Sequence, residues 1–314
     1  MSDHDAFVRQ GRARWDALEG LLRKHRLAPA EWSELAAMYR GVCADLSRSR
    51  SLPVSDEVRR YLDELAGRAH NRLYRTHTGS GWSILRMAVV EAPAEIRAQW
   101  RYFLAASLLF YGPFLAGGLG ALWDVEVAAA ILSTEQLAQM ESMYASEEMV
   151  RGSGQDAQMA GFYVWNNVGI ALRCFATGIV AGLGSMFFLV YNGLTIGTVF
   201  GYLFHVGNGL NLLAFTAGHS AWELTGIVVS GAAGLLMGHA VVDTGGRSRV
   251  GSLRRVAPSL VRLVLGATFL LLVAAAIEGF WSASGWPMAV KFGFGAVQVG
   301  LVALWLLLVG RRAG

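Results

Sequence analysis

Residues 191–238 read YNGLTIGTVFGYLFHVGNGLNLLAFTAGHSAWELTGIVVSGAAGLLMG. Gly193, Gly197 and Gly201 recur at every fourth position, and so do Gly226, Ser230, Gly234 and Gly238. On a helix that spacing puts the small residues on one face, between Leu, Ile, Val and Phe. In lipid, such a face lets two backbones approach closely, and packing replaces the missing hydrophobic drive. In water, each of these glycines would cost a helix about 1 kcal/mol relative to Ala. The stretch therefore predicts membrane helices packed through Gly193, Gly197, Gly201, Gly226, Gly234 and Gly238.

The rest of the composition agrees. The 314 residues are 54% hydrophobic with a mean hydropathy of +0.40, too apolar for an ordinary soluble domain. Of 27 Lys and Arg, 17 lie at or before Arg101. The first hundred residues are polar and charged, so no secretory signal is read there. Cys43 and Cys174 fall in a polar and an apolar segment, which provides neither a disulfide framework nor a metal-binding spacing.

Residues 1–100 read as a small helical domain. Phe7, Trp15, Leu18 and Leu22 follow helical spacing. Pro29 suits the first turn of a second helix carrying Trp32, Leu35, Tyr39, Val42 and Leu46. Ser55 caps a third with Val58, Tyr61, Leu62, Leu65, Ala69 and Leu73. Gly79-Ser80-Gly81 reads as a hinge, and Trp82, Leu85 and Val89 as an amphipathic elbow that either lies on a bilayer surface or packs on the bundle.

Residues 101–314 read as the transmembrane domain. Tyr102–Trp123 is long enough, at roughly 31 Å, to cross the hydrocarbon core. Residues 124–160 then form an acidic loop in which Ser133 and Gln136 suit a capping box for a helix to about Met149, ended by Gly152-Ser153-Gly154. Further apolar spans are expected near 163–190, 194–206, 222–242, 260–280 and 288–309. The third of the six is short, so five crossings also fit. The Arg-rich N-terminal segment, the loop with Arg247, Arg249, Arg254 and Arg255, and the tail Arg311-Arg312 all lie on the cytoplasmic side if six spans place both termini there, with 124–160 external. The fold class expected is all-α: a polytopic membrane protein of about six transmembrane helices after a cytoplasmic helical bundle.

Ionisable groups within spans cost about 2.5–3.5 kcal/mol each on insertion scales and need a reason. Those read from the sequence are Arg173, His219, Glu223, Glu278 and Lys291, with Asn166 and Asn167. On six spans all fall near the outer ends of their helices, which predicts an outward-facing polar cluster with Arg173 as counter-ion to Glu223 or Glu278. Its uses divide between helix glue, a functional pocket and independent snorkelling. His219 and Glu223 have i, i+4 ligand spacing, but zinc needs a third protein ligand and HExxH is absent, so no metal is expected. No cofactor is expected either. There is no P-loop and no GxSxG, and Gly118-Leu119-Gly120 lacks a preceding strand. The 17 basic residues through Arg101 meet 13 acids, so nucleic-acid binding is not indicated, and anionic lipid is the simpler contact.

At these residues the chain resembles the stage II sporulation protein M family of bacterial integral membrane proteins. The pieces that carry the resemblance are Tyr39-Arg40 and Asp45-Leu46; Tyr61-Leu62, Arg68-Ala69-His70 and Leu73-Tyr74; Phe162-Tyr163 and Asn166-Asn167; Asn192-Gly193; Gly218-His219 and Glu223-Leu224; Gly231-Ala232-Ala233-Gly234; and Glu278-Gly279-Phe280-Trp281. Ser220 departs from the glycine usual after the histidine. The resemblance implies a membrane anchor, here expected as a non-enzymatic scaffold of the bacterial cytoplasmic membrane with an envelope protein as partner outside, and the cytoplasmic domain of residues 1–100 argues for an additional cytoplasmic protein partner. A homo-oligomer is compatible with the glycine faces. The alternative is a proton- or ion-coupled transporter or channel that uses the polar cluster.

Overall fold

The computed structural model describes residues 3–24, 27–74, 81–145, 155–282 and 284–311. Gly79-Ser80 of the hinge, the end of the acidic-loop helix toward Met149, Gly152-Ser153-Gly154 and Arg312 lie outside the described residues. Every regular element described is helical. The chain divides into two units, Met1–Gly81 and Trp82–Gly314.

The first unit holds α1 (Asp3–Arg23), α2 (Pro29–Ser49) and α3 (Asp56–Tyr74). Pro29 opens α2, and the Ser55 hydroxyl accepts the Val58 N–H at 3.4 Å to cap α3. Trp15, Leu18, Leu35, Val42, Leu62, Leu65 and Ala69 form its core, while Trp32 lies at the surface. The core contains one acid that hydropathy does not reveal. Asp45 is 5% exposed and accepts the Trp15 indole N–H at 3.0 Å, with Arg14 at 3.7 Å. At the surface, the Lys24 ammonium beside Glu31 holds that carboxyl below its usual range, and Glu31 in turn raises Lys24.

The second unit begins inside α4 (Gly81–Arg86), at Trp82, and continues with a π-helical turn over Met87–Glu91 and α5 (Ala92–Ala98). Residues 82–100, which the sequence reading assigns to the N-terminal domain, belong here instead. Small residues explain the change. Ala88 and Ala92 are buried, and a Cβ on Gly266 would stand 2.5 Å from the Ala92 Cβ. Trp82, Ile84 and Leu85 remain exposed on the elbow.

Then follow α6 (Trp100–Trp123), α7 (Val125–Ile131), α8 (Thr134–Tyr144), α9 (Gln155–Ala176), α10 (Leu183–His205), α11 (Gly209–Thr216), α12 (Ser220–Val242), α13 (Arg249–Ile277) and α14 (Met288–Leu308). Among the described residues, five helices are long and apolar enough to cross a membrane: α6, α10, α12, α14, and α13 with its continuation to Ser282. α9 has 22 residues but carries Asn166, Asn167 and Arg173 and falls outside that set. The capping box at Ser133 and Gln136 forms as read, with bonds of 3.2 and 3.0 Å.

The glycine faces fix the directions of these helices. A Cβ on Gly193, Gly197 or Gly201 would stand 2.1, 2.0 and 2.0 Å from the carbonyls of Phe110, Phe114 and Gly118. The two numberings rise together, so α6 and α10 run parallel. The chain between them must return through the thickness of the bundle, and α9 makes that return. Its last turn meets α12, where a Cβ on Gly234 would lie 2.7 Å from the Cys174 carbonyl. α12 runs antiparallel to α10: Gly231 faces Leu189, Gly234 faces Ser185 and Gly238 faces Gly182. The bundle thus has a near end, where α6 begins, and a far end, where α6 finishes. Tyr102 with His239 (2.5 Å) marks the near end, and His205 with the Leu122 carbonyl (3.0 Å) marks the far end.

Two expected spans are redrawn. The sequence reading runs one span through 163–190 and breaks at Asn192-Gly193. The chain instead turns at Thr177–Gly182, where Ala181 (φ 52°) and Gly182 (φ 82°) adopt left-handed backbone. Leu183–His205 is then one unbroken helix. Asn-Gly is a turn signal in isolation. Here the Asn192 amide donates to the Phe188 carbonyl at 2.6 Å and Gly193 takes the α6 contact, so both suit a helix interior. The short third span is therefore the second half of a full-length helix, and α11, of eight residues, is too short to cross.

Candidate functional site

The far end gathers His219, Glu223, Glu278 and Lys291. His219 precedes α12, and its i, i+4 relation to Glu223 puts the imidazole Nε2 3.7 Å from that carboxylate. Past the end of α13 the helix widens into a π-helical turn over Glu278–Ser282, a feature frequent at functional sites. This turn brings Glu278 and Ser282 to the same place. His219 Nδ1 lies 2.8 Å from the Ser282 hydroxyl, and the donor atoms of His219, Glu223 and Glu278 all lie within 4.8 Å of one another. Lys291 donates to the Ser282 carbonyl at 3.0 Å, so Ser282 joins the histidine on one side and the lysine on the other.

Apolar groups wall the cluster. Phe215 meets the His219 ring edge-on at 5.6 Å. A Cβ on Gly218 would stand 3.1 Å from Ile277 and 3.3 Å from Phe294, and the Phe294 ring meets Trp281 at a tilt, 4.5 Å between centroids. His219, Glu278 and Lys291 are each less than 9% exposed. The Trp222 indole N–H donates to Gln298 Oε1 at 2.9 Å, both side chains being buried, and so ties α12 to α14.

Among the described residues, three of the expected members form no hydrogen bond or ion pair with His219, Glu223, Glu278 or Lys291. Arg173 is exposed in the last turn of α9, beside Cys174, whose carbonyl faces Gly234. Among the described residues it makes no ion pair with Glu223 or Glu278, so the expected counter-ion is withdrawn. The cause is the redrawn span. With α9 ending at Ala176, Arg173 sits toward the near end, where a cation complements the helix C-terminus and can snorkel. Asn167 is buried and accepts from Asn166 at 3.1 Å, a bond within α9 that does not reach the cluster. The pairing idea yields a revised prediction. Stability changes from Arg173→Met and Glu223→Gln are expected to add within about 0.5 kcal/mol, as for independent sites. Recovery of stability in the double variant, read by thermal unfolding in detergent, would restore the pair.

Sequence reading missed several participants. Ser282 and Gln298 are neutral and gave no charge signal. Arg262 was legible but overlooked. It pairs with Glu91 at 3.2 Å and Glu95 at 3.1 Å, and nearby Arg97 donates to the Leu306 and Val309 carbonyls at 2.6 and 2.8 Å. The i, i+4 spacing of the two acids was the available clue.

Comparison with known proteins fits this division. A family model described as Stage II sporulation protein M matches residues 103–283, more than half of the chain. The match takes in His219, Glu223, Glu278 and Ser282 and stops before Lys291. A second model, described as Domain of unknown function (DUF8413), matches residues 5–75, which take in most of α1 and the whole of α2 and α3. The resemblance at Tyr39-Arg40 through Leu73-Tyr74 therefore falls outside the sporulation-protein match. No curated protein and no solved structure matches the chain.

Proposed function

The chain belongs to the stage II sporulation protein M family of membrane proteins, and from that premise we propose that it is a non-enzymatic scaffold of the bacterial cytoplasmic membrane. The near end faces the cytoplasm with both termini. The far end, with α7, α8 and the acidic loop, faces outward and engages an envelope protein. Residues 1–81 engage a cytoplasmic protein. The charge distribution supports this orientation: Arg97, Arg101, Arg247, Arg249 and Arg262 belong to the near end, and Asp124, Glu126, Glu135 and Glu141 to the far end.

The observation that carries the scaffold reading over a conducting one is the seal beneath the cluster. From Gly226 to Gly238 α12 is buried throughout, and Ser230 is its single polar residue there. Ile227 and Val229 have no exposed surface, and Leu271 closes on Gly226. A proton or ion path needs polar groups or water across that depth.

Two measurements test the reading. Exposed Ser142→Cys should react with a membrane-impermeant thiol reagent in intact cells, and exposed Val250→Cys only after lysis; the reverse pattern would overturn the orientation. Proteoliposomes under a pH gradient should leak no faster than empty vesicles, while a photo-crosslinker at exposed Gln139 should trap an envelope protein. Flux that Glu223→Gln abolishes would replace the scaffold with a transporter or channel.

A further inference from the structure

We propose that His219, Glu223 and Glu278 form a binding site for a divalent first-row metal, zinc above all, at the far end of the bundle. The sequence supplied two ligands at helical spacing and no third. The π-helical turn after α13 supplies the third, from a residue 55 positions beyond Glu223 in the chain. One imidazole with two carboxylates is a donor set that suits zinc and its neighbours.

The geometry is close to what the ion needs. Ligand atoms about 2.0–2.1 Å from a tetrahedral zinc stand roughly 3.4 Å from one another. Here His219 Nε2 is already 3.7 Å from Glu223 Oε2, and all three donors lie within 4.8 Å of one another. Rotation of the carboxylates covers the difference. The histidine is also oriented for the task. With the proton on Nδ1 donated to Ser282 at 2.8 Å, the Nε2 lone pair faces Glu223, the outer hydrogen bond that metal-binding histidines usually carry. Ser282 stays in place because its own carbonyl holds Lys291.

Charge and access agree. Glu223 meets no Lys or Arg among the described residues, and it sits within reach of a second carboxylate. A divalent cation between them relieves that repulsion. The Glu223 side chain is 18% exposed and gives a route in, whereas the His219 side chain, at 4%, is shielded. Three protein ligands leave one position for water or an incoming group. Bound there, the ion ties the start of α12 to the turn that follows α13. It would act as a clamp on the outward face, independent of which protein docks there.

The test uses the full chain in detergent, stripped with a chelator and dialysed against micromolar zinc. Elemental analysis should find one zinc per chain, and zinc should raise the unfolding temperature. Glu223→Gln and Glu278→Gln should each abolish that zinc, and Ser282→Ala, which leaves every ligand in place, should weaken it about 10- to 100-fold. His239→Gln should change nothing, although His239 and Asp243 have the same spacing at 3.8 Å on the exposed near end. Cobalt in the wild-type chain should give the visible bands of a four- or five-coordinate site, a readout that needs no variant to fold. Absence of those bands, absence of stoichiometric zinc, or zinc equally held by Glu278→Gln would overturn the proposal.

Discussion

Gly197→Leu should leave little correctly assembled protein. The position sits midway along the α6–α10 contact, where the parallel helices touch through backbone. Even one carbon at Gly197 would stand 2.0 Å from the Phe114 carbonyl, and a carbon at Gly118, across the seam, 3.2 Å from the Gly197 carbonyl. Backbone cannot swing aside as a side-chain tip does. The two helices must separate, and Gly193 and Gly201, one turn away on either side, lose their contacts as well. Overpacking typically costs about 1–3 kcal/mol and occasionally more. A four-carbon side chain against main chain belongs at or beyond the upper end. Gly234→Leu should behave alike, since a Cβ there meets Ser185 Oγ at 2.0 Å and the Cys174 carbonyl at 2.7 Å. Gly300→Leu is the control, with open space around it on α14. Thermal unfolding and monodispersity in detergent decide the matter. A wild-type melting temperature for Gly197→Leu would mean that this face meets lipid rather than α6.

The same glycines mark what could be read from sequence. Spacing by four identifies a packing face whatever the partner, because the pattern is local to one helix. The partner is not local. Nothing in Gly193, Gly197 and Gly201 says that they meet Phe110, Phe114 and Gly118, or that the meeting is parallel. The turn at Thr177–Gly182 was illegible for a related reason. Its one polar side chain is Thr177, and what holds it is packing on α12, with Gly178 against Gly234 and the left-handed Ala181 and Gly182 against Gly238. Missing it displaced Arg173 from one end of the bundle to the other. His219 and Glu223 were legible together because four residues on a helix guarantee proximity. Glu278 was legible as an oddity in an apolar stretch, but not as their neighbour, since that depends on how α13 ends. Ser282 and Gln298 could not be picked out at all, because a lone neutral polar residue in a membrane helix is not costly enough to demand a partner.

Gln298→Leu should cost about 1–2 kcal/mol, and the loss should come from what it leaves behind. Gln298 is 7% exposed and Trp222 8%, so water reaches neither well. Trp222 donates its single side-chain N–H to Gln298 Oε1 at 2.9 Å. Leucine fills much the same space but accepts nothing. The indole N–H is then stranded, and an unsatisfied buried donor costs about 1–3 kcal/mol. Interhelical hydrogen bonds in membranes average nearer 0.6 kcal/mol, because the unfolded chain in lipid also finds partners. The expected value therefore lies between these limits. Trp222→Phe should strand the Gln298 amide in the same way. The informative variant is the double one. With Trp222→Phe and Gln298→Leu together, neither polar group remains, and the stability should return toward wild type apart from the smaller ring. A double-mutant cycle on thermal unfolding isolates that coupling. Strict additivity would mean that the bond contributes nothing and that α14 is held to α12 by shape alone. Coupling above 1 kcal/mol would mark it as a specific tie that keeps Lys291, seven residues earlier on α14, positioned over Ser282.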